Sequence, residues 1–238
     1  MIKFITPDLS DKRIWFAAAY LVKNGFEKVS DSRNADFILL GVNPDRKLLH
    51  SDLPIFAGNI SADNVFDYTK NEVFALKNAV LTAEGALSLA VSESDGSLIN
   101  ASILIVGYGR IGKALHRYLS VLTNHITVCA RKEEQRTLAH SYGADTVAFD
   151  ALRVKSDFDY IFNTVPHPVF NEQELSAIGA DTLLMDLASF PGGVDRHFAE
   201  AKDIKLLIAR GLPAKYSPKA AGEAVGSAVM TMIKEVIV

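Results

Sequence analysis

The sequence predicts an α/β protein: a doubly wound Rossmann domain, preceded by a smaller N-terminal α/β domain that the C-terminal helix completes. Three observations carry this. Short β-prone apolar runs alternate with helical patterns along most of the 238 residues. The run Ile103-Leu104-Ile105-Val106 opens onto Gly107-Tyr108-Gly109-Arg110-Ile111-Gly112, a G-x-G-x-x-G pattern followed by a helical face of Ala114, Leu115, Tyr118, Leu119 and Leu122. The polar stretch SESDGS (92–97) then separates two alternating regions. It sets an N-terminal domain at 1–96 and a dinucleotide-binding domain at 97–217, with 218–238 expected to pack back on the first.

Taken in order, IKFIT is a first strand. Ser10 is the expected N-cap of a helix whose face is Ile14, Ala17, Ala18, Leu21 and Val22 and which stops at Gly25. ADFILLGV (35–42) and LPIFAGNI (53–60) are further strands, with no glycine-rich phosphate loop among them. Residues 83–94 form a helix. Strands follow at 102–107, 125–130, 145–148, 158–163, 181–187 and 204–209, joined by right-handed crossovers. After Gly211-Leu212-Pro213 a final helix, about 219–236, carries Ala221, Val225, Ala228, Val229, Met232 and Val236 on one face.

Composition narrows the function. Hydrophobic content of 49% and charged content of 22% are ordinary for a globular protein, and a formal net charge of −3 gives no electrostatic case for nucleic acid or an anionic membrane. The single cysteine, Cys129, excludes an internal disulfide and suits a reducing compartment. MIKFITPDLSDK lacks the apolar core of a signal peptide, and no apolar run approaches the length of a membrane span, so a cytoplasmic protein is expected. No Cys, His and Asp set has metal-ligand spacing.

Each glycine of the loop has a physical task. Gly107 permits the tight turn, Gly109 lets the main chain approach a pyrophosphate, and Gly112 lets the helix lie close to the strand. The helix start supplies N–H groups and a positive dipole end. The strand after it ends in Ala130-Arg131-Lys132, with no carboxylate until Glu133 and Glu134. An NAD site would place an acid here for the ribose hydroxyls. Arg131 offers a planar cation for a 2′-phosphate, with Lys132 beside it, so the cofactor expected is NADP, unless Arg131 is merely a solvated loop residue.

Two further strand ends face the same expected crevice. Asn163, Thr164, Val165 and Pro166 are candidates for the nicotinamide half, although a plain strand-to-turn signal explains the same residues. Asp186 and Leu187 end the next strand, followed by Ser189, and Gly192 and Gly193 permit a close approach to substrate or to the carboxamide. Asp186 could equally cap the following segment. Cys129 is a core residue by pattern. His167, near the nicotinamide edge, is a weaker acid/base candidate, and His197 lies on a solvated helical face.

Four strings resemble one family, the A subunit of dipicolinate synthase: AVLTAEGALSLAV (79–91), FNTVP (162–166), DLASFPGGVD (186–195) and GLPAKYSPKAAG (211–222). With the glycine loop and the ARK segment they span 79–222 in the family's order. The resemblance implies an NADP-dependent oxidoreductase that forms dipicolinate from a cyclic dihydro- or hydroxytetrahydro-dipicolinate during sporulation, working with a flavin-binding B subunit. Assembly into a homo-oligomer stays open. Lys219, in the family's PK-x-AG string, is then a candidate to bind a substrate carboxylate or move a proton, against the bland reading of a solvated lysine. Lys215 has no special task. Thr82 and Glu84, read as the start of the helix at 83–94, become substrate-side candidates, and Glu84 could instead only favour the helix N-terminus. Ser189 joins Lys219 and Glu84 as a catalytic candidate. Asn59 and Ser61 are weaker ones. Two alternatives remain: another NAD(P)-dependent hydroxy- or amino-acid dehydrogenase of this fold, or a non-catalytic NADP-binding redox sensor.

Overall fold

The structure, a computed structural model, describes residues 1–152 and 157–236. The chain divides into two compact units, Met1–Leu81 with Pro213–Val238 and Thr82–Leu212. The first division falls inside a helix rather than at SESDGS. In chain order the first unit holds β1 (Lys3–Ile5), α1 (Lys12–Lys23), β2 (Glu27–Lys28), β3 (Phe37–Val42), β4 (Ile55–Gly58) and β5 (Val65–Asp67), and α2 (Glu72–Glu93) begins in it. The second holds β6 (Ile103–Val106), α3 (Arg110–Leu119), β7 (Ile126–Cys129), α4 (Glu133–Ser141), β8 (Asp145–Val147), β9 (Tyr160–Asn163), α5 (Glu172–Ser176), β10 (Leu183–Asp186), α6 (Arg196–Ala201) and β11 (Leu206–Ile208). Two helices close the chain, α7 (Leu212–Tyr216) and α8 (Pro218–Val236). Residues 237 and 238 of the expected terminal segment lie outside the described residues.

In the first unit five parallel strands run in the order β2-β1-β3-β4-β5. Their one face carries a row of phenylalanines, with ring centroids 5.5 Å apart for Phe4 and Phe37, 5.3 Å for Phe37 and Phe56, and 5.4 Å for Phe56 and Phe66. Burying each of the first three fully contributes roughly 1.5–3 kcal/mol. Ile14, Ala17 and Leu21 of α1 and Val225, Val229 and Ile233 of α8 cover that row. The two helices pack closely because α8 presents Gly222 and Gly226. A Cβ at Gly226 would lie 2.7 Å from Tyr20 Cδ1, and one at Gly222 would meet the Arg13 carbonyl.

Two local expectations are corrected here. Asp11, not Ser10, caps α1: its carboxylate accepts from the Arg13 N–H at 2.9 Å and also from the Arg13 guanidinium, which Ser10 could not match. Val22 is exposed, so the buried face ends at Leu21. The stop at Gly25 has a clear cause. Gly25 takes φ 91, and the N–H groups of Gly25 and Phe26 bond to the carbonyls of Val22 and Leu21, closing a Schellman motif.

Helix α2 starts eleven residues before the expected 83, capped by Asn71, whose side chain accepts from the Phe74 N–H at 3.0 Å. By length and hydropathy alone this helix meets the criteria for a membrane span. Yet Phe74, Ala79, Ala83, Ala86, Leu89 and Ala90 are core residues, and a core helix meets the same two criteria.

The second unit is a sheet of six parallel strands in the order β8-β7-β6-β9-β10-β11. All six fall within the expected strand ranges. Central strands β6, β9 and β10 are buried at every position, which explains why they read as continuous apolar runs. The strand order reverses between β6 and β9. In such sheets that reversal opens a crevice at the carboxyl ends of the strands, where ligands bind.

Candidate functional site

The glycine loop sits at that reversal. Gly107 takes φ 94 and donates its N–H to Cys129 O at 2.8 Å, turning the chain out of β6. A Cβ at Gly112 would fall onto the Gly107 carbonyl, so only glycine lets α3 pack this close. A Cβ at Gly109 would meet nothing within 4 Å, which leaves open space at the first residue before α3. This combination of a filled turn, a filled helix contact and an open middle glycine fits a pyrophosphate over the helix start. Arg110 is exposed in the first turn and Ile111 is half-buried beside it.

Tyr108 differs from the expectation of a cofactor contact. Its ring is 2% exposed and its hydroxyl lies 2.8 Å from His116 Nδ1 on α3, so only its main chain faces the loop. Burial raises the Tyr108 hydroxyl and lowers His116, which favours the neutral form of both groups.

At the end of β7, Ala130 is buried and donates to Val147 O, whereas Arg131 and Lys132 are exposed. Lys132 Nζ lies 3.8 Å from Glu134. The sequence reading missed Arg136. From one turn into α4, its Nη1 donates to both Ala130 O and Arg131 O at 2.8 Å, fixing the turn that carries Arg131. Cys129 is fully buried and its thiol is pushed up to about 12 by that burial, which makes it a core residue.

Asn163 and Asp186 are turned into the protein rather than toward a ligand. They are partners across β9 and β10, and Asn163 Nδ2 donates to Asp186 Oδ1 at 2.8 Å and to Val165 O at 3.1 Å. The Asp186 carboxylate also accepts from the N–H groups of Ala188 and Gly193, both at 3.2 Å. A buried carboxylate needs such donors, and these occupy it. Leu187 is buried next to it. Gly192 and Gly193 likewise approach protein: a Cβ on Gly192 would meet Asp186 and Arg210, and one on Gly193 would meet Asn163 and the Val165 carbonyl. The close approach read as room for substrate is therefore filled by the loop's own packing.

Thr164 donates its hydroxyl to Val106 O at 2.9 Å, and a Cβ at Gly107 would lie 2.8 Å from Val165 Cγ2. The glycine loop, residues 164–165 and the 186–193 loop are thus one contiguous edge. Pro166 and Ser189 are exposed on it, as is His167, which lies 3.4 Å from Pro168 O. His197 is exposed on α6. Arg210, also missed from sequence, reaches back after β11 and donates to Ala188 O at 3.2 Å and Pro191 O at 3.0 Å.

Thr82 and Glu84 lie in the middle of α2, Thr82 buried and Glu84 exposed, so a helix N-terminus explains neither. Lys219, Lys215, Asn59 and Ser61 belong to the first unit. Lys219 is exposed in the first turn of α8, not partly buried. Lys215 sits over the Tyr216 ring, and Asn59 is tied to Asn43 at 2.6 Å.

The model of the D-isomer specific 2-hydroxyacid dehydrogenase, NAD binding domain, matches residues 77–189. The protein binds a nicotinamide dinucleotide. It is an oxidoreductase of the dehydrogenase type. The dipicolinate synthase A subunit of Bacillus subtilis is 29% identical over 214 residues, covering 85% of this chain and 71% of that protein. The chain is similar to the dipicolinate synthase A subunit. The fold agrees. The crystal structure of the Bacillus halodurans counterpart has a TM-score of 0.85 at 22% identity, over 98% of this chain and 97% of that one. The Bacillus subtilis structure scores 0.83 at 23% identity, over 98% and 96%.

Proposed function

We propose that the protein is an NADP-dependent oxidoreductase that forms dipicolinate from a dihydro- or hydroxytetrahydro-dipicolinate during sporulation, in the cytoplasm and with a flavoprotein B subunit. The observation that carries the cofactor choice is the exposed Arg131–Lys132 pair, on a turn fixed by Arg136, where a carboxylate would select NAD. The likeness to the Bacillus subtilis protein supports the substrate.

In this reading the main chain of Gly107–Gly112 and the first turn of α3 hold the pyrophosphate, with Arg110 adding charge. Arg131 and Lys132 take the 2′-phosphate, and Ala130 lines the adenosine side. Thr164, Val165 and Pro166 border the nicotinamide half, while Asn163, Asp186 and Leu187 hold that edge rigid from behind. NADP, when bound, supplies a hydride acceptor. Ser189, Glu84 and Lys219 are the candidates for carboxylate binding and for taking the ring proton, and Thr82 is a substrate-side group. The aromatic product supplies much of the driving force, so orientation is the protein's main task.

The test is direct. The protein is mixed with freshly generated dihydrodipicolinate and NADP, with and without the flavoprotein, and pyridine absorbance is followed with NADPH formation. Ring formation coupled to NADPH supports the reading. Tight NADPH binding with no turnover in either mixture favours a redox sensor, and turnover only of a hydroxy or amino acid supplied in place of dihydrodipicolinate favours another dehydrogenase.

A further inference from the structure

Arg210 is a cation held in place at the sheet's carboxyl edge. Its guanidinium donates to the carbonyls of Ala188 and Pro191, stands 5.7 Å from the centroid of the Phe190 ring, and crowds the Gly192 position from which a Cβ would lie 2.9 Å from Nη2. Phe190 is 84% exposed and Arg210 is exposed as well, so neither group is held there by burial. Here two main-chain acceptors and a ring hold one guanidinium still, and among the described residues they use two of its five N–H groups.

The setting tells what the rest would bind. The loop Arg210 holds contains Ser189 and ends in Gly193, whose Cβ position abuts Val165 O, next to the edge where ligands of such sheets lie. The planar fork of arginine matches a carboxylate with two parallel bonds, and an exposed ring beside it offers a flat apolar face. Preorganisation also lowers the cost of ordering the side chain on binding.

We propose that Arg210 is a carboxylate-binding residue, taking one carboxylate of a planar ring dicarboxylate with the face of Phe190 beside it. This rests on the dipicolinate reading for the ligand's class and goes beyond it in naming the group that recognises the second acid.

The test compares pyridine-2,6-dicarboxylate with pyridine-2-carboxylate, both titrated calorimetrically into the full-length protein saturated with NADP. The wild type binds the dicarboxylate about 10- to 100-fold more tightly, the range of one charge-assisted pair. Arg210→Ala brings that ratio close to one. Arg210→Gln keeps a donor for the loop carbonyls but has no charge, and the ratio is lost with it too. If both ligands weaken together in Arg210→Ala with the ratio kept, or if Arg210→Gln restores the ratio, the arginine only pins the loop and the proposal is overturned. A wild type that binds neither acid overturns the dipicolinate reading itself, and this inference with it.

Discussion

Gly109 and Gly112 stand three residues apart in one loop, and replacing each with alanine separates what the loop does for folding from what it does for its ligand. At Gly112 an added methyl falls inside contact distance of the Gly107 carbonyl oxygen, 3.0 Å from its carbon and 3.5 Å from Ile105 Cγ2. The nearest atoms are main chain and cannot rotate away. Helix α3 must retreat by roughly 1 Å to restore ordinary contact distances. Overpacking of this kind costs about 1–3 kcal/mol, which lowers the melting temperature of a chain this size by roughly 2–12 °C. A displacement near 1 Å also weakens function on the order of 100-fold. At Gly109 the methyl meets no protein atom within 4 Å, and φ −82 with ψ −158 is open to alanine. Stability should stay within about 0.5 kcal/mol of the wild type, while the methyl occupies the space kept for phosphate and reduces affinity at least tenfold. Thermal melts and NADPH fluorescence titrations read both effects. Gly112→Ala with an unchanged melting temperature, or Gly109→Ala with unchanged affinity, would refute the division of labour.

Two other predictions concern groups the chemistry does not use. Burial pushes the Cys129 thiol up to about 12, so the native protein at pH 8 should not react with a thiol reagent and should react with one equivalent once unfolded in guanidinium. Stoichiometric labelling of the native protein contradicts this. Burial holds His116 below its ordinary value, so the unfolded chain binds the extra proton first and stability falls as pH drops below about 6.5 toward the folded-state value. His116→Gln should flatten the melting-temperature profile between pH 7.5 and 5.5, and a profile parallel to the wild type shows that another group titrates.

The sequence was legible where one physical cause dominated. The six strands of the second unit read correctly because central parallel strands are buried on both faces, and the turn at Gly107 and the helix contact at Gly112 were legible because each answers to a separate steric demand. The first half of α2 was missed because Val73, Leu76 and Val80 are apolar yet exposed, which erases the one-sided period. Strands β2 and β5 are two and three residues long, too short for any pattern. Asn163 and Asp186 looked like ligand groups because their strand ends were clear and their mutual pairing, set by β9–β10 register across 23 positions, was not. Arg136 and Arg210 bind carbonyls that only the folded chain brings to them.

The cofactor choice is the claim on which the rest depends, and the ratio of NADPH to NADH affinity tests it most directly. Titrating both cofactors into wild type and Arg131→Ala should show a preference for NADPH of about tenfold or more in the wild type, from a charge-assisted contact to the 2′-phosphate. In the variant that ratio should fall toward one, chiefly through weaker NADPH binding. A ratio unchanged by the substitution, or a wild type that prefers NADH, contradicts the assignment of Arg131 and of NADP.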